Sequence, residues 1–83
     1  MIESQTGRPR LWVDFQNADR EGRVRLNCAG TTEDLDRQRL VFREGLALIL
    51  YCKELEARAT VVYSTDEHLW VAKLEPRTIR KLE

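Results

Sequence analysis

A mainly β fold, a small five-stranded antiparallel barrel or half-barrel, is predicted by two observations. The first is the alternation of apolar and polar residues over residues 45–75, since alternation places every second side chain on one face of a strand. The second is that the alternating segments, when paired as hairpins, set apolar residues opposite one another. With 83 residues the chain has the length of one domain, which buries roughly 60–65% of its unfolded surface.

The first two predicted strands are residues 10–16 and 23–28, which we pair as a hairpin across a polar loop. Placing Gln16 opposite Arg23 aligns apolar residues on the inner face of the two strands. On the outer face the same register sets Asp14 opposite Arg25. A slip of one residue would destroy both patterns, so the sequence predicts this register.

One short helix is predicted between strands 2 and 3, over residues 31–39. Thr31 is the predicted N-cap, because its hydroxyl can accept a hydrogen bond from a free amide of the first turn. Acidic residues in the first turn and arginines in the last turn suit the helix dipole. Leu35 is the clearest apolar anchor of this helix.

The last three predicted strands form a meander with one continuous buried face. They are residues 46–52, 55–64 and 69–75. Pairing Cys52 with Leu55 across a two-residue turn, and Tyr63 with Trp70 across a four-residue loop, aligns the apolar residues of all three strands. Small alanines then lie among Leu and Trp side chains, as an interdigitated core requires. Pro76 ends the last strand because it cannot donate a hydrogen bond to a ladder.

A single helix over residues 32–57 is an alternative, because several apolar residues there also recur with a helical period. It would give an α+β fold of two strands, a long helix and two strands. Gly45 would then lie inside the helix at a cost of about 1 kcal/mol. The hairpin registers favour the strand interpretation. In strand count and length, that interpretation resembles the Src-homology-type small barrels, a likeness of fold that carries no function by itself.

The single globular domain is predicted to span residues 10–81. Residues 1–9 are polar and contain Gly7 and Pro9, so they predict a disordered tail. Leu82-Glu83 matches a dipeptide that often precedes a purification tag, and we give it no structural weight. No apolar stretch approaches the ~18–20 residues of a membrane helix, and no secretory signal precedes the domain. We therefore expect a cytoplasmic protein that does not enter a membrane.

Acidic and basic residues are balanced, with 14 of each, and zero net charge argues against a general binder of nucleic acid. His68 is the only histidine, so a catalytic triad or a metal site has few ways to assemble. Cys28 and Cys52 are predicted to be reduced thiols on inward strand positions. The sequence therefore predicts a protein that is not an enzyme, with no metal or cofactor.

An apolar cluster on the outer face of the meander is the strongest functional signal. In the predicted register, five residues point away from the core, and Val62 lies directly opposite Val71. These five candidate partner-binding residues are Ile49, Tyr51, Val62, Leu69 and Val71. A cross-strand apolar cluster on a surface is typical of interaction sites, unless the chain's own helix or termini cover it. We therefore expect a small interaction or assembly module that binds another protein or a second copy of itself.

The first hairpin supplies an alternative function, that of a nucleic-acid or nucleotide-binding small β-barrel. Its candidate residues are Arg10, Trp12, Arg23 and Arg25. Arginines that flank an exposed aromatic ring can clamp a phosphate while the ring stacks on a base. Acidic residues close to these arginines nearly balance their charge, so pairing within the hairpin is the favoured interpretation.

Overall fold

This computed structural model describes residues 8–82 of the chain, which contain six strands and one α-helix. The strands are β1 (Arg10–Trp12), β2 (Val24–Arg25), β3 (Ala47–Tyr51), β4 (Leu55–Ser64), β5 (Leu69–Leu74) and β6 (Arg80–Lys81). The helix α1 (Ala29–Gln38) lies between β2 and β3, and a 3-10 helix (Pro76–Thr78) lies between β5 and β6. The strands form one sheet in the order β1-β3-β4-β5-β2, with β6 also paired to β4. This sheet curls into a half-barrel, which confirms the mainly β prediction.

The meander β3-β4-β5 has the predicted registers. The Cys52 amide donates to the Leu55 carbonyl at 2.9 Å, which closes the two-residue turn between β3 and β4. Tyr63 lies opposite Trp70, and their rings meet edge to face with centroids 5.0 Å apart. Both registers follow from short connections that leave little freedom for slippage.

The predicted hairpin of strands 1 and 2 is wrong. β1 pairs in parallel with β3, with Leu11 opposite Leu50, and β2 pairs antiparallel with β5, with Val24 opposite Ala72. β1 and β2 therefore lie at opposite ends of the strand order. A single bridge between Ala18 and Val24 connects the segment after β1 to β2. Alternation specifies which face a strand buries but does not specify its partner, and the observed pairing buries the same apolar side chains.

The helix differs from the prediction at both ends. α1 begins two residues earlier, so Cys28 is the N-cap and Thr31 lies inside the first turn, fully buried. It ends at Gln38, because the C-cap residue Arg39 has a left-handed backbone, with φ of 55° and ψ of 41°, that stops the helix. The alternative of one helix over residues 32–57 is therefore wrong, because the chain leaves the helix well before β3.

The hydrophobic core lies on the inner face of the curled sheet. Nine buried apolar residues form it: Leu11, Val13, Val24, Leu26, Leu48, Leu50, Ala59, Val61 and Ala72. All of them occupy positions that the alternating pattern assigned to the inner face. Partly buried residues, including Phe42 and Trp70, extend the core at its margin.

The free edge of β1 is closed by side chains of α1. The Thr31 hydroxyl donates to the Trp12 carbonyl at 2.7 Å, and the Trp12 amide donates to the Asp34 carboxylate at 2.9 Å. The Gln38 side-chain amide donates to the Arg10 carbonyl at 2.6 Å. Three side chains thus supply the hydrogen bonds that a neighbouring strand would make, and the edge cannot serve as a template for another chain.

The ends of the described range are bound to the sheet. The Ile49 amide donates to the Pro9 carbonyl at 2.9 Å, and the Leu82 amide donates to the Glu54 carbonyl at 2.8 Å. The rest of the predicted tail, residues 1–7, lies outside the described residues, as does Glu83. Within the range that the structure describes, α1 and the 3-10 helix are too short and too polar to cross a bilayer.

Replacing Asp34 with alanine should cost about 1–3 kcal/mol of unfolding free energy, because it leaves the Trp12 amide without its acceptor. Asp36→Ala is the matched control, since Asp36 is exposed on the same helix and its replacement should change stability by less than about 0.5 kcal/mol. Urea unfolding of the three proteins measures the difference. Equal losses for the two variants would show that the edge hydrogen bond adds nothing.

Candidate interaction face

The outer face of the sheet, which points away from the core, carries most of the predicted site residues. Ile49 of β3 lies between Arg10 of β1 and Arg58 of β4. Tyr51, two residues further along β3, lies beside Trp12. The structure thus places part of the predicted protein-binding set next to part of the predicted nucleic-acid-binding set.

The other apolar candidates lie on the β2 side of this face. Val62 is opposite Val71, as predicted, and Val71 is in turn opposite Arg25 of β2. Val71 has 0% of its surface exposed, whereas Val62 and Leu69 are half-buried. The expectation that Val71 is an uncovered surface residue is therefore wrong. Val71 lies between Val62 of β4 and Arg25 of β2, because β2 pairs with β5 instead of with β1.

Arg25, the neighbour of Val71, is held by an ion pair with Glu67 in the loop between β4 and β5. Its guanidinium donates to both oxygens of Glu67, at 2.7 and 3.0 Å, and also to the Ala18 carbonyl at 3.0 Å. These hydrogen bonds lower the pKa of Glu67 and raise that of Arg25. The predicted partner Asp14 instead accepts a hydrogen bond from a backbone amide of its own turn.

Arg23 is similarly occupied by a neighbouring carboxylate. Its Nε donates to Asp19 at 2.9 Å, and Asp19 also accepts from the backbone amides of Glu21 and Arg23. Burial raises the pKa of Asp19, but these hydrogen bonds outweigh the burial, so the pKa lies below its ordinary value. Arg23 and Arg25 are thus neutralised locally and lie apart from Arg10 and Trp12.

Arg10 and Trp12 form a small cluster with Tyr51 on the β1 side. The Arg10 guanidinium lies 4.8 Å from the centroid of the Tyr51 ring, a distance typical of a cation–π contact. Trp12 is 36% exposed and packs on Gly30 of α1, where an added Cβ would lie only 2.7 Å from the indole ring. Each of the two rings therefore has one face covered by the protein itself.

An open groove of about 530 Å³ adjoins this cluster, and we call it the basic groove. It exists because β4 changes partners along its length. β5 pairs with the second half of β4, and after the 3-10 helix the chain returns as β6 beside the first half. The groove is lined by Ile49, Glu56, Ala57, Arg58, Arg77, Thr78, Ile79 and Arg80.

Glu56 is the one acidic residue that lines the basic groove. It accepts hydrogen bonds from Arg10 at 2.9 Å and from Arg80 at 2.9 Å. The bond from Arg10, followed by that from Arg80, lowers the pKa of Glu56. A carboxylate held between two guanidinium groups remains charged and is a poor proton acceptor.

The remaining arginines of the groove lack such a partner. Within residues 8–82, neither Arg58 nor Arg77 takes part in an ion pair. Arg58 has Glu75 as its cross-strand neighbour, but the Glu75 carboxylate binds Arg8 at 3.3 Å instead. The groove therefore carries an excess of positive charge although the chain as a whole is neutral.

The residues weighed for other chemistry are dispersed. His68 is exposed in the loop between β4 and β5, where its φ of 58° and a hydrogen bond to the Ser64 carbonyl make it a turn residue. Cys28 and Cys52 are unpaired thiols and are only partly buried, so neither is the fully inward side chain that was predicted. Among the residues that the structure describes, no cluster of His, Cys, Asp and Glu is suited to hold a metal ion.

Comparison with known proteins returns no match, whether against family models, curated proteins or solved structures.

Val71→Ala should cost about 2 kcal/mol of unfolding free energy, because Val71 is fully buried and its truncation leaves a cavity. Val62→Ala provides the comparison, and its half-buried side chain should lose less than about 1 kcal/mol. Chemical denaturation measures the unfolding free energy of both variants. A smaller loss at Val71 than at Val62 would contradict the burial described above.

Stability should fall in acid partly through Glu67. Its pKa in the folded protein lies below its ordinary value, so its contribution is present above about pH 4.3 and is lost as the pH falls through the folded-state pKa. The difference in unfolding free energy between wild type and Glu67→Gln should therefore become smaller as the pH is lowered from about pH 5 to about pH 2. Asp66→Asn, at the exposed neighbouring carboxylate, controls for the loss of a charge, and a similar narrowing there would remove the role assigned to the Arg25–Glu67 pair.

Proposed function

We propose that this protein is a small non-enzymatic protein-interaction module, and that a segment of a partner protein docks in the basic groove. The observation that carries the proposal is the combination of an open groove with uncompensated arginines. At the β2 end of the sheet, in contrast, Arg23 and Arg25 are paired with local carboxylates. Three arginines and one glutamate line the groove, so it carries a net positive charge on a chain of zero net charge.

The groove combines apolar and charged contacts. Ile79 is 44% exposed at its rim and Ile49 is half-buried within its lining. Protein interfaces are typically built from a buried apolar centre with arginine among the residues that contribute most to binding. The volume of about 530 Å³ suits a short segment of chain rather than the flat surface of a large domain.

The proposal is non-enzymatic because of the side chains in the groove. Arginine stays protonated in proteins, so Arg58, Arg77 and Arg80 cannot act as bases. Glu56, whose pKa is lowered by Arg10 and Arg80, is poorly suited to accept a proton near neutral pH. These groups are suited to binding an anionic group and not to transforming it.

The location proposed from the sequence is cytoplasmic. Reduced Cys28 and Cys52 are consistent with that location, because free thiols persist in a reducing compartment. Binding of a second copy of the chain is the other form that the interaction can take.

Binding of nucleic acid is the second candidate function. It is favoured by one observation, the proximity of Arg10, Trp12 and Tyr51 to the arginines of the groove. It is disfavoured because Arg10 is already bound to Glu56 and lies over the Tyr51 ring, so its guanidinium is engaged within the protein. A phosphate would have to compete with Glu56 for this arginine.

The proposal is tested by selecting binders from a displayed random peptide library. Peptides enriched on the wild type should bind Arg58→Glu/Arg77→Glu about tenfold more weakly or worse, because two charge-assisted contacts are reversed. Arg20→Glu/Arg43→Glu is the charge-matched control, since both arginines are exposed and lie outside the groove. Equal loss in the control pair, or enrichment of nothing, would overturn the proposal.

Sedimentation over a range of protein concentrations completes this test. Self-association that disappears in Arg58→Glu/Arg77→Glu and persists in the control pair would identify the partner as a second copy. Self-association that persists in both variants would place the contact between copies outside the groove.

A further inference from the structure

We infer that the basic groove recognises an acidic peptide segment in which carboxylates flank an aliphatic side chain. This inference rests on the proposed function and specifies the chemistry of the partner. It follows from three features of the groove: where its charge is free, where its charge is already neutralised, and where its apolar surface is exposed.

The free positive charge lies at Arg58 and Arg77, which project from different elements. Arg58 belongs to β4 and Arg77 to the 3-10 helix that follows β5. Both line the same groove, and neither is in an ion pair within the described range. A guanidinium group presents donors in a planar fork that fits a carboxylate with two parallel hydrogen bonds. Two such groups on separate elements are suited to bind two carboxylates.

The neutralised charge lies at the β6 end of the groove. There Glu56 is bound by Arg10 and Arg80, so donors of these two guanidinium groups are already occupied. A nucleic-acid backbone carries a phosphate at every step, and a phosphate placed here would compete with Glu56 for those donors. A peptide can place its carboxylates near Arg58 and Arg77 and a neutral residue beside Glu56. The charge distribution therefore favours a peptide over a nucleic acid.

The apolar surface of the groove gives the second reason to prefer a peptide. Ile79 is 44% exposed beside Arg80, and Ile49 lies on the floor next to Arg58. An aliphatic side chain of a ligand can cover these residues, with a gain that scales with the apolar area removed from water. A sugar-phosphate backbone has no equivalent group. The most direct ligand is thus an aliphatic residue with Asp or Glu on either side.

The test uses a labelled peptide of sequence Gly-Asp-Leu-Asp-Leu-Asp-Gly and the full chain. We expect its Asn-for-Asp counterpart to bind about tenfold more weakly, because each charge-assisted hydrogen bond is replaced by a neutral one. A Ser-for-Leu counterpart that keeps all the carboxylates should also bind more weakly. Fluorescence anisotropy measures the affinities, and backbone amide shifts should move at residues 49, 58 and 77–80.

Glu56→Gln provides a gain of affinity that an unfolded variant could not produce. Removing this carboxylate frees Arg10 and Arg80, so the acidic peptide should bind about threefold more tightly. Arg58→Gln/Arg77→Gln should lose binding, whereas the exposed pair Arg20→Gln/Arg43→Gln should not. Circular dichroism of every variant confirms that the fold is retained.

The remaining outcomes separate this inference from the proposed function. If the neutral peptide binds the groove as tightly as the acidic one, or if the acidic peptide does not bind, the inference is wrong. The proposed function then still stands if library-selected peptides of other composition depend on Arg58 and Arg77. If a single-stranded oligonucleotide binds more tightly than any peptide and depends on the same arginines, both are wrong and the nucleic-acid alternative is correct.

Discussion

The half-barrel depends on β4 pairing with three other strands. One edge of β4 bonds to β3 over residues 56–60, and the other edge bonds first to β6 and then to β5. The inner face of β4 carries Ala57, Ala59 and Val61, which are small and fully buried. Larger side chains of the neighbouring strands can therefore interdigitate with them. The change of partner follows from Pro76, which ends β5 because it has no amide to donate. The core and the basic groove are thus two consequences of one long strand whose neighbour stops early.

The sequence was sufficient to predict the inner face of the strands and the register of the meander, because those depend on local patterns. Alternation is a local property, and a turn or loop of two to four residues leaves few pairings to choose between. The partners of β1 and β2 could not be predicted in that way. Arg10 lies opposite Ile49, and alternation is equally satisfied by any neighbour that buries the same face. The polar loop also misled the register. A tight turn from Asp19 to Gly22, with φ of 82° at the glycine, places Val24 opposite Ala18, three residues away from the Phe15 that pairing Gln16 with Arg23 implies.

The candidate site was only partly accessible to sequence reasoning. Ile49 and Tyr51 were identified by their outward position, and Arg10 and Trp12 by their mixture of charge and aromatic character. Arg77 and Arg80 were missed, because no strand was predicted after Pro76 and nothing therefore placed these residues beside β4. Charge balance was judged from neighbours in sequence, whereas the Glu75 carboxylate opposite Arg58 is bound to Arg8, which precedes β1 and is distant in sequence. Which arginines stay unpaired is therefore a property of the three-dimensional arrangement.

The closure of β1 by the side chains of α1 bears on how the chain avoids aggregation. A strand held at its outer edge by a partner strand is released only when a ladder is broken. The outer edge of β1 is instead bonded to the side chains of Thr31, Asp34 and Gln38. Detachment of a ten-residue helix would leave the sheet intact and expose an unpaired row of backbone groups. Local opening of this kind requires less free energy than global unfolding, and an exposed edge recruits further chains. We therefore expect the retention of α1 to limit the association of folded chains at high concentration.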